Sequence, residues 1–398
     1  MTVLHGGRLV TPDGVLDDAW LTVENGHIAT IGRGPVPAGA LELGGEWLLP
    51  GFIDLHVHGG GGHDMAESAD EMARAVAFHR RHGTTRTLVS LAAAPPHALI
   101  GQLGWVADMV AAGPNPVGGA LGAHLEGPFL SYARRGAQDP AHLLMPDRGT
   151  LARFVEAARG TLRSVTIAPE LPGALDLIGD ILAAGAVAAI GHTDATYGQA
   201  RAAIDAGASL ATHLFNGMRP LHQRDPGVIA AALLSGLACE VINDGVHVHP
   251  AITSLVGSVP ERLVLVTDAT KAAGAGDGDF VMGGRNVRVS NGQVRLAGTD
   301  ILAGSSLTMD AALRRAVLEC GLPMELASAA ASGNPARTIG VDAEYGAIAV
   351  GQAADVVVLD KDLVVAGVLA DGYLSTRQSG WSPRPVWAQP RSVGLLDR

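Results

Sequence analysis

Apolar residues fall into short runs that recur through the middle of the chain: Leu48–Val57, Thr85–Ser90, Val117–Leu125, Ser164–Ala168, Ala186–Ile190, Leu210–Leu214, Ala238–Ile242 and Leu263–Thr267. Each has the length of a buried strand. Stretches with helical spacing separate them, at Asp70–His82, Leu175–Ala184, Tyr197–Ala206 and Ile252–Val256, and a last one covers Leu307–Cys320. Strands alternating with helices predict a parallel sheet, and eight such units predict a closed (β/α)8 TIM-like barrel over residues 51–341. The chain ends have a different pattern. Trp20–Glu24 and His27–Ile31 flank Asn25-Gly26, a pair that favours a tight hairpin. Gly346–Val350 and Ala354–Leu359 read as another hairpin. Residues 1–50 and 342–398 are therefore expected to form a small β-sandwich domain from both termini. A further Asn-Gly hairpin, Val287–Leu296, comes after the eighth strand, and residues 373–398 carry no readable pattern.

Composition narrows the partners. A hydrophobic content of 47% with 17% charged residues supplies a large core, the reverse of a disordered chain. The net charge of −11 leaves no global basic footprint for nucleic acid or an anionic membrane. Phosphate would have to be met by a few local Arg or His side chains. No secretory pattern opens the chain and no stretch reaches ~20 uninterrupted apolar residues, so a soluble cytoplasmic protein is expected. Cys239 and Cys320 build no disulfide framework.

The chemistry lies at the C-terminal end of each apolar run. The first ends in Asp54-Leu-His56-Val-His58, and alternation along a strand puts both imidazoles on one side. The third ends in His124-Leu-Glu126, the fifth in Gly191-His192, the sixth in Thr212-His213, and the eighth in Thr267-Asp268. In a barrel the C-terminal ends of all strands surround one mouth. Singly, each residue has a plainer explanation: His192 as a core histidine, Glu126 as an ion-pair partner, Asp268 as a cap. Together they need a positive ion to offset their burial. The only lysines are Lys271 and Lys361, so a modified lysine in an early strand cannot bridge two ions. Imidazole and carboxylate donors suit Zn2+, with Fe2+, Mn2+ or Co2+ as alternatives.

The motifs Pro50-Gly-Phe-Ile-Asp-Leu-His-Val-His-Gly59, His124-Leu-Glu-Gly-Pro-Phe129, Thr212-His-Leu-Phe-Asn-Gly-Met218, Asp244-Gly-Val-His247 and Val266-Thr-Asp-Ala-Thr270 resemble the amidohydrolase superfamily. Within it the chain is most similar to the N-acetylglucosamine-6-phosphate deacetylase family, over nearly its whole length. The resemblance implies that Glu126, His192 and His213 hold one divalent ion, and that His56 and His58 hold a second, with Glu126 bridging and Asp268 nearby. It implies substrate contacts from Asn216, Gly217, Arg224 and His247 to a small-molecule phosphosugar, and a homodimer in which one subunit completes its neighbour's phosphate end. Some members carry a histidine twelve residues after the glutamate; here Gln138 stands there, able to donate a hydrogen bond but not to carry a proton.

The implied reaction removes the acetyl group from N-acetyl-D-glucosamine 6-phosphate in amino-sugar catabolism. Water acidified beside the metal attacks the amide, Asp268 acts as general base and returns the proton to the amine, and Gln138 polarises the carbonyl. Three other readings compete. They are a deacetylase of N-acetylgalactosamine 6-phosphate, a more distant cyclic amidase or amino-acid deacylase, and a non-catalytic barrel that binds sugar phosphates. The paired charge Arg224-Asp225 also fits a solvated loop.

Overall fold

The computed structural model describes residues 2–113, 119–376 and 384–385. Eight parallel strands stand side by side in chain order: β1 (Phe52–Val57), β2 (Thr84–Ala92), β3 (Ala120–Glu126), β4 (Leu162–Ile167), β5 (Val187–Ile190), β6 (Leu210–Ala211), β7 (Ala238–Ile242) and β8 (Leu263–Val266). Closure comes just past the strand ends. Val57 bridges Ala269, the Asp268 N–H donates to the His56 carbonyl at 2.7 Å, and the His58 N–H donates to the Ala269 carbonyl at 2.8 Å. Lower down, Asp54 of β1 clasps β8. Its carboxylate accepts the Thr267 N–H at 3.2 Å and the Thr267 hydroxyl at 2.6 Å. Burial raises the Asp54 pKa to about 7, against the pull of these Thr267 bonds and that of His56 N–H.

The intervening helices start where their sequences supply caps. Ser68 accepts from Glu71 N–H ahead of Ala69–Arg80, Asp147 accepts from Thr150 N–H ahead of Arg148–Ala158, and Thr196 with Gln199 forms a capping box at Tyr197–Asp205. Their apolar faces pack on the outside of the barrel in one continuous core that includes Met72, Leu103, Phe154, Ile178 and Leu313. Among the described residues no helix is long and apolar enough to cross a membrane.

The apolar run Leu48–Val57 serves two sheets. Trp47–Pro50 pairs antiparallel with Val356–Leu359 and parallel with Arg8–Leu9, whereas Phe52–Val57 enters the barrel. The switch is at Gly51, where a Cβ would lie 2.2 Å from the Thr85 hydroxyl. Both halves are buried, so hydrophobic patterning alone could not separate them. Strands from 2–50, 356–376 and 384–385 make a five-stranded and a six-stranded sheet. They share a core of Leu4, Leu21, Ile28, Leu48, Val356 and Val358. Buried Arg86 on β2 reaches this unit through a two-pronged contact with Asp355, at 2.7 and 3.1 Å.

Both Asn-Gly hairpins form, with Asn25, Gly26, Asn291 and Gly292 all at positive φ. The later one gains a third strand, Gly278–Met282, that sequence patterning does not reveal. The hairpin expected from Gly346–Val350 does not form. Val356–Leu359 pairs with Val365–Ala370 instead, and the earlier stretch is a loop tied down at Ala347 and just past its end. Ala347 N–H goes to the Gln352 side chain at 2.9 Å and Gly351 N–H to the Ile28 carbonyl at 2.8 Å. The expected strand start at Val117 and most of the 373–398 tail lie outside the described residues.

Removing the Thr267 hydroxyl should loosen the closure between β1 and β8. Thr267→Val is expected to cost about 1–3 kcal/mol by urea denaturation, the range for leaving a buried acceptor unsatisfied. An unchanged midpoint would show that the clasp contributes nothing.

Candidate metal centre and substrate cavity

Six of the expected side chains converge above the barrel. His56 and His58 point their Nε2 atoms toward each other at 3.2 Å, and those of His192 and His213 approach to 3.1 Å. Glu126 lies between the two pairs. Its Oε1 is 2.9 Å from His192 Nε2 and 3.1 Å from His213 Nε2, and its Oε2 is 3.3 Å from His58 Nε2. Asp268 Oδ1 closes the group, 3.5 Å from His56 Nε2 and 3.4 Å from His58 Nε2. Two sets of donor atoms thus lie within 4.8 Å of one another: His56, His58, Glu126, and Glu126, His192, His213.

Backbone strain is concentrated here. His192, His213 and Asp268 have φ of 45°, 29° and 47°, a region that costs side-chain-bearing residues roughly 1–3 kcal/mol each. Hydrogen bonds on either side fix these turns. The His192 carbonyl accepts from Ser131 N–H at 2.9 Å and the Asp268 carbonyl from Ser305 N–H at 2.8 Å. His213 N–H donates to the Glu240 carboxylate at 3.1 Å. Gly217, at φ 58°, leaves room beside His192, since a Cβ there would sit 2.9 Å from its Nδ1.

The far nitrogens of three imidazoles have partners that orient the rings. His58 Nδ1 meets the Ser90 carbonyl at 3.1 Å, His192 Nδ1 the Arg134 carbonyl at 2.9 Å, and His56 Nδ1 the Glu240 carboxylate at 3.2 Å. Carbonyl and carboxylate partners place the hydrogen on Nδ1 and leave Nε2 free as a ligand. Among the described residues, His213 Nδ1 is buried without a partner. Beneath the cluster His124 bridges the Ser90 and Thr166 hydroxyls at 2.9 and 2.8 Å.

The electrostatics fit a cation. Burial would raise Glu126, yet the charge on His56 and the bonds from His192 and His213 hold it well below the usual carboxylate range. Burial likewise opposes Asp268, but His56 and His58 bring it to about 2. In turn these carboxylates overcome burial at His58 and raise it to about 9. Protons on imidazoles here occupy the place a metal ion would take. Nitrogen and carboxylate donors without thiolate match a borderline divalent ion.

Beside the cluster opens a cavity of about 420 Å3. Gln138, Asn216, Gly217 and His247 line it, as expected from the sequence. Gln138 is held by its amide: the oxygen accepts Ala93 N–H at 2.9 Å and the nitrogen donates to Glu126 Oε2 at 2.6 Å. His247 is oriented by Asp244, whose carboxylate meets its Nδ1 at 2.7 Å. Arg224 does not line the cavity of its own chain and is exposed. Asp225 pairs with Arg219 at 2.5 Å, so the expected Arg224–Asp225 pairing is not what occupies this carboxylate.

Several lining residues carry no sequence motif. Met282, Arg285 and Leu296 come from the three-stranded sheet after β8, which forms one wall, and Lys271 pairs with Glu67 at 2.5 Å. Glu240 is hidden inside an apolar run. A lone carboxylate in the middle of Ala238–Ile242 was the signal that could have found it.

A model described as the amidohydrolase family matches residues 47–376. The N-acetyl-D-glucosamine-6-phosphate deacetylase of Mycobacterium smegmatis superposes with a TM-score of 0.90 at 44% identity, covering 94% of this chain and all of that one. An aspartate-to-alanine mutant of the same enzyme has been solved in complex with N-acetyl-D-glucosamine-6-phosphate. The N-acetylgalactosamine-6-phosphate deacetylase of Escherichia coli O157:H7 is 39% identical over 94% of this chain and 99% of its own length. The human N-acetylglucosamine-6-phosphate deacetylase is 35% identical over 94% and 93%.

If Glu126 serves both donor sets, Glu126→Ala should abolish uptake of any divalent ion, whereas His56→Ala should leave one ion per chain. Elemental analysis of the purified variants decides it; full loading of Glu126→Ala would remove Glu126 from the centre.

Proposed function

The chain belongs to the amidohydrolase family, a group of divalent-metal-dependent hydrolases acting on amide bonds, and on that premise we propose that it deacetylates N-acetyl-D-glucosamine 6-phosphate. The observation that carries this reading is Glu126, buried between two histidine pairs beside a cavity, in a fold shared at 44% identity with an enzyme of that name. The products are acetate and D-glucosamine 6-phosphate.

In this reading Glu126, His192 and His213 would hold one ion, and His56 and His58 with the same glutamate would hold another. A divalent ion held there, with Zn2+ the best match to the donors, would supply Lewis acidity toward the water and the amide carbonyl. Asp268 receives the water proton as general base and hands it to the departing amine. The charge on His56 and the bond to His58 set its low pKa, and an ion held by these imidazoles would take the place of their protons and keep positive charge beside the carboxylate. Gln138 has one amide hydrogen committed to Glu126, and its second can meet the acetamide oxygen. Asn216, the Gly217 backbone and His247 bind the sugar phosphate along the cavity. The proposal includes a homodimer in which Arg224 reaches the phosphate of the neighbouring subunit. Its exposure outside its own cavity supports that role.

The Escherichia coli relative gives a second reading, the galacto epimer, which differs at one hydroxyl. Acetate release from a panel of N-acetylhexosamines and their 6-phosphates separates the two by the ratio of kcat/KM. Release from none of them would sink both.

Asp268→Asn is expected to lower kcat by at least about 100-fold while metal content is retained; normal turnover would remove it as the base. Arg224→Ala should raise KM for the 6-phosphate and leave that for the unphosphorylated sugar unchanged. Equal effects on both substrates would take Arg224 away from the phosphate.

A further inference from the structure

Glu240 sits in the middle of β7 with 1% of its surface exposed, and its carboxylate lies beneath the metal cluster. Oε2 is 3.2 Å from His56 Nδ1 and accepts the His213 N–H at 3.1 Å. A carboxylate can only accept, so Nδ1 of His56 carries the hydrogen. The Nε2 lone pair then faces His58, Glu126 and Asp268. The same oxygen fixes His213 where its backbone is bent into positive φ. One atom therefore touches a ligand from each donor set. Among the described residues the ion-pair partner of Glu240 is His56. A carboxylate buried with no Arg or Lys beside it is costly unless a cation lies close by.

Resting on the ligand assignment above, we propose that Glu240 is the positioning residue that builds the second ion's site. It holds His56 in the ligating tautomer, contributes negative charge next to the ion shared by His56, His58 and Glu126, and through His213 N–H ties that site to the first. It touches neither substrate nor the reacting atoms.

Metal-free protein titrated with Co2+ tests this, with uptake counted by elemental analysis and visible absorption reporting the ligand field. The wild type should take two ions per chain. Glu240→Gln, whose amide oxygen can still accept the His213 N–H, should bind the first with unchanged affinity and the second about 10–100-fold more weakly, with only the second ion's spectrum altered. In a His56→Ala background the Glu240→Gln change should have no further effect. The proposal is overturned if the wild type takes a single ion, if Glu240→Gln binds both as tightly as the wild type or loses both equally, or if its effect adds to that of His56→Ala. Circular dichroism of the metal-free variants checks folding. Should Glu240→Gln not fold, Glu240→Asp, which keeps the charge on a shorter arm, must show the same selective loss. No substrate is present in these titrations. A protein that binds ions in this pattern yet releases no acetate would sink the deacetylase reading and leave this inference standing.

Discussion

Burying three carboxylates and four imidazoles in one small volume is the constraint on which the rest of the site depends. Glu126, Asp268 and Glu240 are each less than a tenth exposed, and no arginine or lysine forms an ion pair with any of them among the described residues. Such a group is stable when its charges are neutralised from within. The carboxylates favour protonation of His56, His58 and His192, whose imidazolium charge can do so, and a divalent ion can do so with the imidazoles neutral. The barrel makes this possible by bringing the ends of β1, β3, β5, β6 and β8 to one mouth, with Glu240 of β7 beneath them.

The ligand positions are held by strain set against hydrogen bonds. Left-handed backbone at His192, His213 and Asp268 would relax if it stood alone. Each turn is instead tied to a different neighbour: the 131 segment, the Glu240 side chain and the 305 segment. Fixing the rings beforehand means that little ordering remains to be done when an ion or substrate arrives.

Much of this was legible in the sequence because the signals were local. Eight apolar runs mark the strands, and a polar residue just past an apolar run must face the mouth, so His192, His213 and Asp268 could be read by position alone. The Asn-Gly pairs predicted their hairpins because the turn needs positive φ at both residues. What stayed hidden was non-local. Glu240 looks like one polar residue in a buried strand until His56, far away in sequence, is placed against it. The wall carrying Met282 and Arg285 has no motif, and its position depends on how the sheet after β8 folds over the mouth. Gly346–Val350 forms no strand, and its Ala347 N–H is taken by the Gln352 side chain, a contact that periodicity cannot show.

The pairing of Trp47–Pro50 with Val356–Leu359 bears on how the chain can be made. The strand leading directly into the barrel has its antiparallel neighbour more than three hundred residues downstream, so it emerges from a ribosome long before that neighbour exists. During synthesis the edge that will pair with Val356–Leu359 waits for its partner while the entire barrel is translated, although Arg8–Leu9 can already pair on the other side. An open strand edge invites pairing with other chains, and the last strands complete the six-stranded sheet and end that period of exposure.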